Sequence, residues 1–386
     1  MTIGAILDAL IKVLPNKDGG IALHEPCFDG REMDYVQECI RTRWVSSVGK
    51  YVDQFEKMLA DFTGVKRVIA VVNGTAALHV AMKLIGVKEN DEVLMPTQTF
   101  VATANVVSYL NAIPHFVDSE EKTLGLDPMK LEQYLNEIAD TRGDGCYNRE
   151  TGRKITAVIP VHLYGHPVDL DPLIEVCTMF KLEMIEDATE SLGSFYKKRH
   201  TGNWGKLSAL SFNGNKIITT GGGGAILTNN EALGRRAKHI TSTARLPKNW
   251  NTYHDEIGFN YRMPNLNAAL GCAQLEKLPK LLRLKRELAE KYQAIFTNIE
   301  GVTFFSEPNF SQSNYWLNTI LVEDGVEMRN KVLEKTNNHG IQTRPAWTLM
   351  HRLPMYKECP RMDLSNAERL AEMIVNLPSS SFLSIA

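Results

Sequence analysis

The chain has little that would commit it to a membrane, a nucleic acid or an oxidising compartment. No apolar run is long enough to span a bilayer. Acidic and basic residues nearly cancel, leaving a formal net charge of -2, so neither nucleic acid nor an anionic membrane is expected as the main partner. The densest basic stretch, Lys197-Lys198-Arg199-His200, is short and suits a solvated loop. Cys27, Cys39, Cys146, Cys177, Cys272 and Cys359 are far apart and form no CxxC pair. That excludes the usual disulfide framework and zinc spacing, and no metal is expected. It also fits a reducing compartment. The apolar periodicity from Met1 to Leu14 comes without a basic leader or a small-residue cleavage site, so it predicts a short amphipathic helix and not a signal peptide. A cytoplasmic location is expected. No internal repeat or low-complexity tract interrupts the 386 residues, which suffice for two domains.

What is present is alternation. Short apolar runs at Val68–Val72, Glu92–Met95, Ile113–Val117, Ile155–Val161 and Leu182–Ile185 predict strands. Between them, Gly74–Leu84, Val101–Leu110, Lys130–Ile138 and Pro172–Phe180 carry helical spacing. Such alternation predicts an α/β domain with a mostly parallel sheet and helices on both faces. Ligands in such sheets gather at the carboxyl ends of strands. Further strands are predicted at Leu207–Phe212 and Ala225–Leu227. A long helix is predicted over Asn265–Ala294, and a smaller α+β unit beyond it has strands at Trp316–Val322 and Gly340–Thr343. The polar Asp140–Lys154 reads as an inserted surface loop. The expected division is an N-terminal segment 1–30, a large domain 31–264, and residues 265–386 as connecting helix and small domain.

Four short motifs lie at predicted strand ends. Asn73-Gly74-Thr75-Ala76-Ala77 opens a helix, offering free N–H groups and a hydroxyl to an anion. By itself it reads more readily as an ordinary capped turn. Phe100 follows a strand and could stack on a flat cofactor; by itself it suits core packing. Ile185-Glu186-Asp187-Ala188-Thr189-Glu190 ends a strand on acids, and Asp187 could pair with a ring nitrogen or cap a helix. Lys216 lies in Ser211-Phe212-Asn213-Gly214-Asn215-Lys216, before Gly221-Gly222-Gly223-Gly224. An exposed lysine, with a pKa near ~10.4, is a poor nucleophile at neutral pH. One desolvated in a cofactor pocket can form an imine. Ser211 could add a hydroxyl to the anion cradle. The order of cradle, aromatic, carboxylate and lysine along one α/β domain points to an aldehyde cofactor, pyridoxal phosphate.

The sequence resembles the DegT/DnrJ/StrS family of pyridoxal-phosphate-dependent nucleotide-sugar aminotransferases. The matching blocks are Ile21–Pro26, Trp44–Lys50, Asn73–His79, Glu186–Ala188 and Gly258–Met263. The resemblance implies fold type I, the aspartate-aminotransferase-like α/β architecture with a smaller α+β C-terminal domain. It implies that Lys216 bonds the cofactor and acts in catalysis, and that pyridoxamine phosphate forms in turnover. Asp187 would face the pyridine nitrogen. Gly74, Thr75, Ala76 and Ser211 would hold the phosphate, and Phe100 would stack on the ring. Glu190, where relatives often have Gln or His, would lie near the ring hydroxyl. Asn260 would reach the partner subunit's cofactor, making a homodimer with shared sites. Ser47, Lys50, Tyr315 and Arg344 are candidates for substrate contact, Arg344 being equally suited to a surface ion pair. Asn213 and Gly222 replace the His and Glu of many members. With Ile341–Trp347, they resemble the LegC-like subgroup that makes 4-amino sugars for legionaminic-acid- and bacillosamine-type glycans. L-Glutamate and a UDP-linked 4-keto-6-deoxy sugar are the substrates this implies. The alternatives are C3 amination, a sugar 3-dehydratase, which carries histidine in place of the lysine, and a non-enzymatic regulator of the same fold.

Overall fold

The structure, a computed structural model, describes residues 2–15, 19–248 and 250–385. Its centre is a nine-stranded sheet. The first strands are β1 (Arg67–Val71), β2 (Glu92–Pro96) and β3 (Ile113–Val117). A hairpin follows, β4 (Ala139–Arg142) and β5 (Gly145–Asn148), and then β6 (Lys154–Val158) and β7 (Glu183–Asp187). A separate two-residue pair, β8 (Phe195–Tyr196) and β9 (Arg199–His200), precedes β10 (Leu207–Ser211) and β11 (Gly224–Thr228).

The strand order is β1-β11-β10-β7-β6-β2-β3, with β5 pairing to β6 and β4 to β5. Pairing is parallel from β10 through to β3. β11 is antiparallel to both neighbours. It follows that β1, β2, β7 and β10 all point the same way, and their carboxyl ends share one edge. The strands are buried on both faces, as βαβ crossovers require. Alternation along β1 sends Ile69 and Val71 to one core cluster and Val68 and Ala70 to the other.

The polar stretch expected as a loop at 140–154 is instead the β4–β5 hairpin, which extends the sheet through Cys146 and Ile155. Its polar residues are explained by what they bury. Glu92 is fully buried and accepts hydrogen bonds from Asn148 (2.9 Å) and Thr151 (2.7 Å), with His115 Nδ1 at 2.9 Å. Alternation also separates the two acids that end β7. Glu186 turns away from the sheet edge and accepts from the N–H groups of Gly202, Trp204 and Gly205 at 2.6–2.7 Å. It ties down the loop before β10, while Asp187 takes the opposite face.

Helix Asn265–Phe296 leads into a second, four-stranded sheet. Its strands are Val302–Phe304, Asn318–Val322, Arg344–Pro345 and Ile374–Leu377. The strand expected at 340–343 is reduced to one bridge, Ile341 with Ile21, because the chain pairs with the sheet only from Arg344. Helix Thr2–Val13 is amphipathic as expected. It packs Ile6, Leu7 and Leu10 against Leu288, Tyr292 and Val332, so the N-terminal segment shares the small unit's core.

Candidate active site

The shared strand edge opens into a cavity of about 330 Å³. Gly74, Thr75, Phe100, Asp187, Glu190, Ser211 and Lys216, all expected from the sequence, line it. β1 delivers Asn73-Gly74 to this edge, and Asn73 caps helix Gly74–Ile85 by accepting from the Ala76 N–H at 2.7 Å. The Ala76 amide is therefore engaged within the cap. The Gly74 and Thr75 N–H groups, in the first turn, have no helical acceptor and remain as donors. Two glycines permit this approach. A Cβ on Gly74 would meet Ser211 Cβ at 3.0 Å and Thr189 Cγ2 at 3.1 Å. One on Gly224 would lie 2.4–2.6 Å from the backbone of Asn73 and Gly74.

Asp187 is buried at the end of β7, in register with Ala209 of β10. That pairing sets Ser211 two residues further along the same edge. Asp187 does not cap a helix; a turn follows, closed by Thr189 N–H and Oγ1 donating to Oδ1 at 3.2 and 2.7 Å. Thr103 Oγ1 donates to Oδ2 at 2.7 Å and is itself 3.0 Å from Thr99 Oγ1. Three donors from two elements therefore fix the plane of the carboxylate. The composition did not single out Thr103 or Thr189; the signal for Thr103 was its position, one helical turn past Thr99 on a strand-end helix.

Lys216 reaches the cavity from the loop between β10 and β11. Its Nζ lies 3.5 Å from Glu190 Oε1 and 3.9 Å from the centre of the Trp316 ring. Both side chains of the ion pair are nearly buried. Burial pushes the Glu190 carboxyl up to about 7, with Lys216 and the Tyr164 N–H opposing the rise. That N–H donates to Glu190 Oε2 at 2.8 Å. Tyr164 adopts φ 56°, a left-handed conformation uncommon outside glycine, which aims the amide inward. Nothing in the sequence marked Tyr164.

Phe100 stands half exposed at the mouth, edge-on to Trp347 at 5.9 Å. Trp347 also stacks with Trp316, 6.4 Å away at 20°. The indole of Trp316 donates to the Asn215 carbonyl at 2.7 Å, holding the loop that carries Lys216. These two tryptophans wall the cavity where Tyr315 was expected. Tyr315 is turned into the small unit's core, against Phe304 and His166, because successive residues there point to opposite sides. Arg344 lies beside the cavity in an adjoining recess, exposed, with Nη1 on Asn337 Oδ1 and the Thr343 carbonyl. Lys50 lies elsewhere, paired with Glu38 and lining a separate hollow with Trp44 and Asn265. Ser47 adjoins that hollow in sequence. Asn260 is exposed on the strip that bridges to Ser242. Ser47, Lys50 and Asn260 do not line the Lys216 cavity. A Cβ on Gly222 would lie 3.9 Å from the Val72 carbonyl, an ordinary contact.

Residues 26–385 match the DegT/DnrJ/EryC1/StrS aminotransferase family. The chain is 38% identical over 336 residues to the putative pyridoxal phosphate-dependent aminotransferase EpsN of Bacillus subtilis, covering 87% of this chain and 84% of EpsN. It is 37% identical to the GDP-perosamine synthase of Escherichia coli O157:H7, covering 94% of each. The solved structure of Helicobacter pylori PseC, an aminotransferase in pseudaminic acid biosynthesis by its description, superposes with a TM-score of 0.84 at 26% identity over 93% of each chain. The chain belongs to the DegT/DnrJ/EryC1/StrS aminotransferase family. The fold-type I architecture and the pyridoxal phosphate cofactor expected of it hold with that membership. The residues fit the cofactor: a glycine-permitted helix start for a phosphate, a buried carboxylate and an amine share one cavity.

Proposed function

We propose that the protein transfers an amino group from L-glutamate to C4 of a UDP-linked 4-keto-6-deoxy sugar, with UDP-2-acetamido-2,6-dideoxy-4-keto-hexose as the acceptor. The observation that carries the reading is the convergence of Lys216, Asp187 and the Gly74 helix start in one cavity. Thr75 and Ser211 would hold the cofactor phosphate, Asp187 the ring nitrogen and Phe100 a face of the ring. Pyridoxal phosphate, when bound, supplies an aldehyde for the donor's amine and a ring that takes up the electron pair left by the departing Cα proton.

Lys216 performs the proton transfers. Its Nζ takes the proton from the donor Cα and returns it on the cofactor side; toward the sugar the direction reverses and the proton is delivered at C4. Glu190 holds Nζ on the cavity side of the loop and, with a carboxyl near neutrality, can rest in either protonation state as the lysine charge changes. Trp316, its ring 3.9 Å from Nζ, and Trp347 wall the cavity beside the lysine and would limit the access of water to it. Use of the C4 position and of UDP rests on the LegC-like blocks around Asn213, Gly222 and Ile341–Trp347. GDP-perosamine synthase, a relative over 94% of the chain, makes GDP the competing nucleotide.

A lysine and not a histidine at 216 disfavours the 3-dehydratase reading, and retention of both Lys216 and Asp187 disfavours a non-enzymatic role. A homodimer with sites completed by Ser47, Lys50 and Asn260 of the second copy agrees with their placement outside the cavity. Exposed Met33, Ile40, Trp44 and Val48 near that surface support it. The test is spectroscopic. Mixing the holoenzyme with L-glutamate should remove the cofactor's visible band, and the UDP-linked 4-keto sugar should restore it. Loss without return on the UDP sugar, but return on a GDP sugar, would reject the UDP assignment. No loss with glutamate would reject the donor.

A further inference from the structure

Beside the Lys216 cavity lies a recess of about 190 Å³. The two share Asn215, Trp316 and Trp347 as a common wall. Its remaining lining combines apolar Leu23, Leu317 and Pro345 with polar His24, Gln342 and Asn376 and the charged Arg344.

The segment carrying His24 is held tightly. Gln342 N–H donates to the Ile21 carbonyl at 2.9 Å and Ser379 N–H to the Leu23 carbonyl at 2.7 Å. Glu25 N–H donates to Ser380 Oγ at 2.8 Å. The backbone on both sides of His24 is thus pinned to the small sheet, yet the His24 side chain is not. Both ring nitrogens are buried, and among the described residues neither has a hydrogen-bond partner. A buried polar group without a partner costs about 1–3 kcal/mol, so these nitrogens call for a water or a ligand group. Burial, with Lys285 and Lys216 nearby, holds the imidazole well below its ordinary pKa. A neutral imidazole has one donor nitrogen and one acceptor nitrogen.

We infer that this recess is the subsite for a neutral acylamino substituent of the sugar, the group at C2, with His24 as the specificity-determining residue. The inference rests on the sugar-aminotransferase reading. An acetamido group offers one N–H donor, one carbonyl acceptor and a methyl, which complement the imidazole and the indole walls. C2 and C4 lie on one pyranose ring, so a C4 presented to Lys216 places the C2 substituent within reach of the shared wall.

The test compares UDP-N-acetylglucosamine with UDP-glucose, which differ only by acetamido for hydroxyl at C2. Calorimetric titration of the holoenzyme should give about tenfold tighter binding of the acetamido sugar, the equivalent of one well-made hydrogen bond. His24→Ala should erase most of that preference while leaving UDP-glucose affinity within about twofold. His24→Gln, which keeps an amide donor and acceptor, should retain part of it and guards against misfolding of the alanine variant. Equal affinities in the wild type, or an equal loss for both sugars in His24→Ala, would overturn the subsite while leaving the aminotransferase reading intact. Binding of neither sugar would overturn the subsite together with the UDP assignment. Glutamate-driven loss of the visible band would then still stand for the transaminase.

Discussion

The most demanding residue in the site is Glu190, because it is buried beside a lysine and yet leans toward its neutral form. Its raised pKa has a signed consequence. Between the ordinary carboxylate value and about 7 the folded protein binds a proton that the unfolded chain does not, so stability falls as pH rises through that window. The contribution is fully present below it and lost above it. Glu190→Gln should therefore flatten the change in melting temperature of the cofactor-free protein between about pH 5 and 8, by an amount on the order of 1–3 kcal/mol in stability. An unchanged slope would show that Lys216 compensates the carboxyl fully. Lys216→Ala should lower turnover by at least about a hundredfold, the usual contribution of a positioned proton carrier, while cofactor still binds. Near-normal turnover would remove Lys216 from the chemistry. Asp187→Asn keeps its shape beside Thr103 and Thr189 but removes the charge, so it should slow the glutamate half-reaction severely without a comparable loss of melting temperature. An unchanged rate would leave Asp187 a purely architectural residue.

Among the elements, the close approach of β11 to the start of helix Gly74–Ile85 decides whether the anion cradle exists. Gly224 sits with no room for a Cβ against the Asn73 backbone. Gly224→Ala must push the helix start away from Ser211 and Thr189 or distort β11. Overpacking of this kind costs typically about 1–3 kcal/mol. The expected outcome is a melting temperature a few degrees lower, together with weaker retention of pyridoxal phosphate on dialysis. A variant that melts lower but holds cofactor normally would separate the packing role from the cradle. The hairpin β4–β5 teaches a related point. Its polar composition concealed strands, because Asn148 and Thr151 face a buried carboxylate and not water.

For the whole molecule, the proposed homodimer, with Asn260, Ser47 and Lys50 of one copy completing the site of the other, predicts that one protomer is an incomplete enzyme. Sedimentation should give a mass about twice the 43.3 kDa of the chain. Asn260→Ala should weaken cofactor retention while leaving the dimer intact. A monomeric enzyme with full activity, or an Asn260→Ala variant with unchanged cofactor affinity, would reject the shared site.

Much of the large domain could be read from the chain alone, because strand and helix periods are local and each chemical motif ended a strand. Lys216, Asp187, Gly74 and Ser211 were identifiable as a set for that reason: parallel strands bring their carboxyl ends to one edge whatever the details of packing. Order along the chain also carried the family, through blocks such as Gly258–Met263. What only the tertiary structure decided are the contacts between distant segments. Trp316, and not its neighbour Tyr315, faces the lysine, a choice made by the turn of one residue at the small sheet's edge. Tyr164 aims its amide at Glu190 through a backbone conformation no composition signals. His24 reaches the recess because its flanking backbone pairs with segments more than 300 residues away, Gln342 and Ser379. Local sequence sets periodicity and turn chemistry, but which side chains meet across such separations depends on how the two units pack.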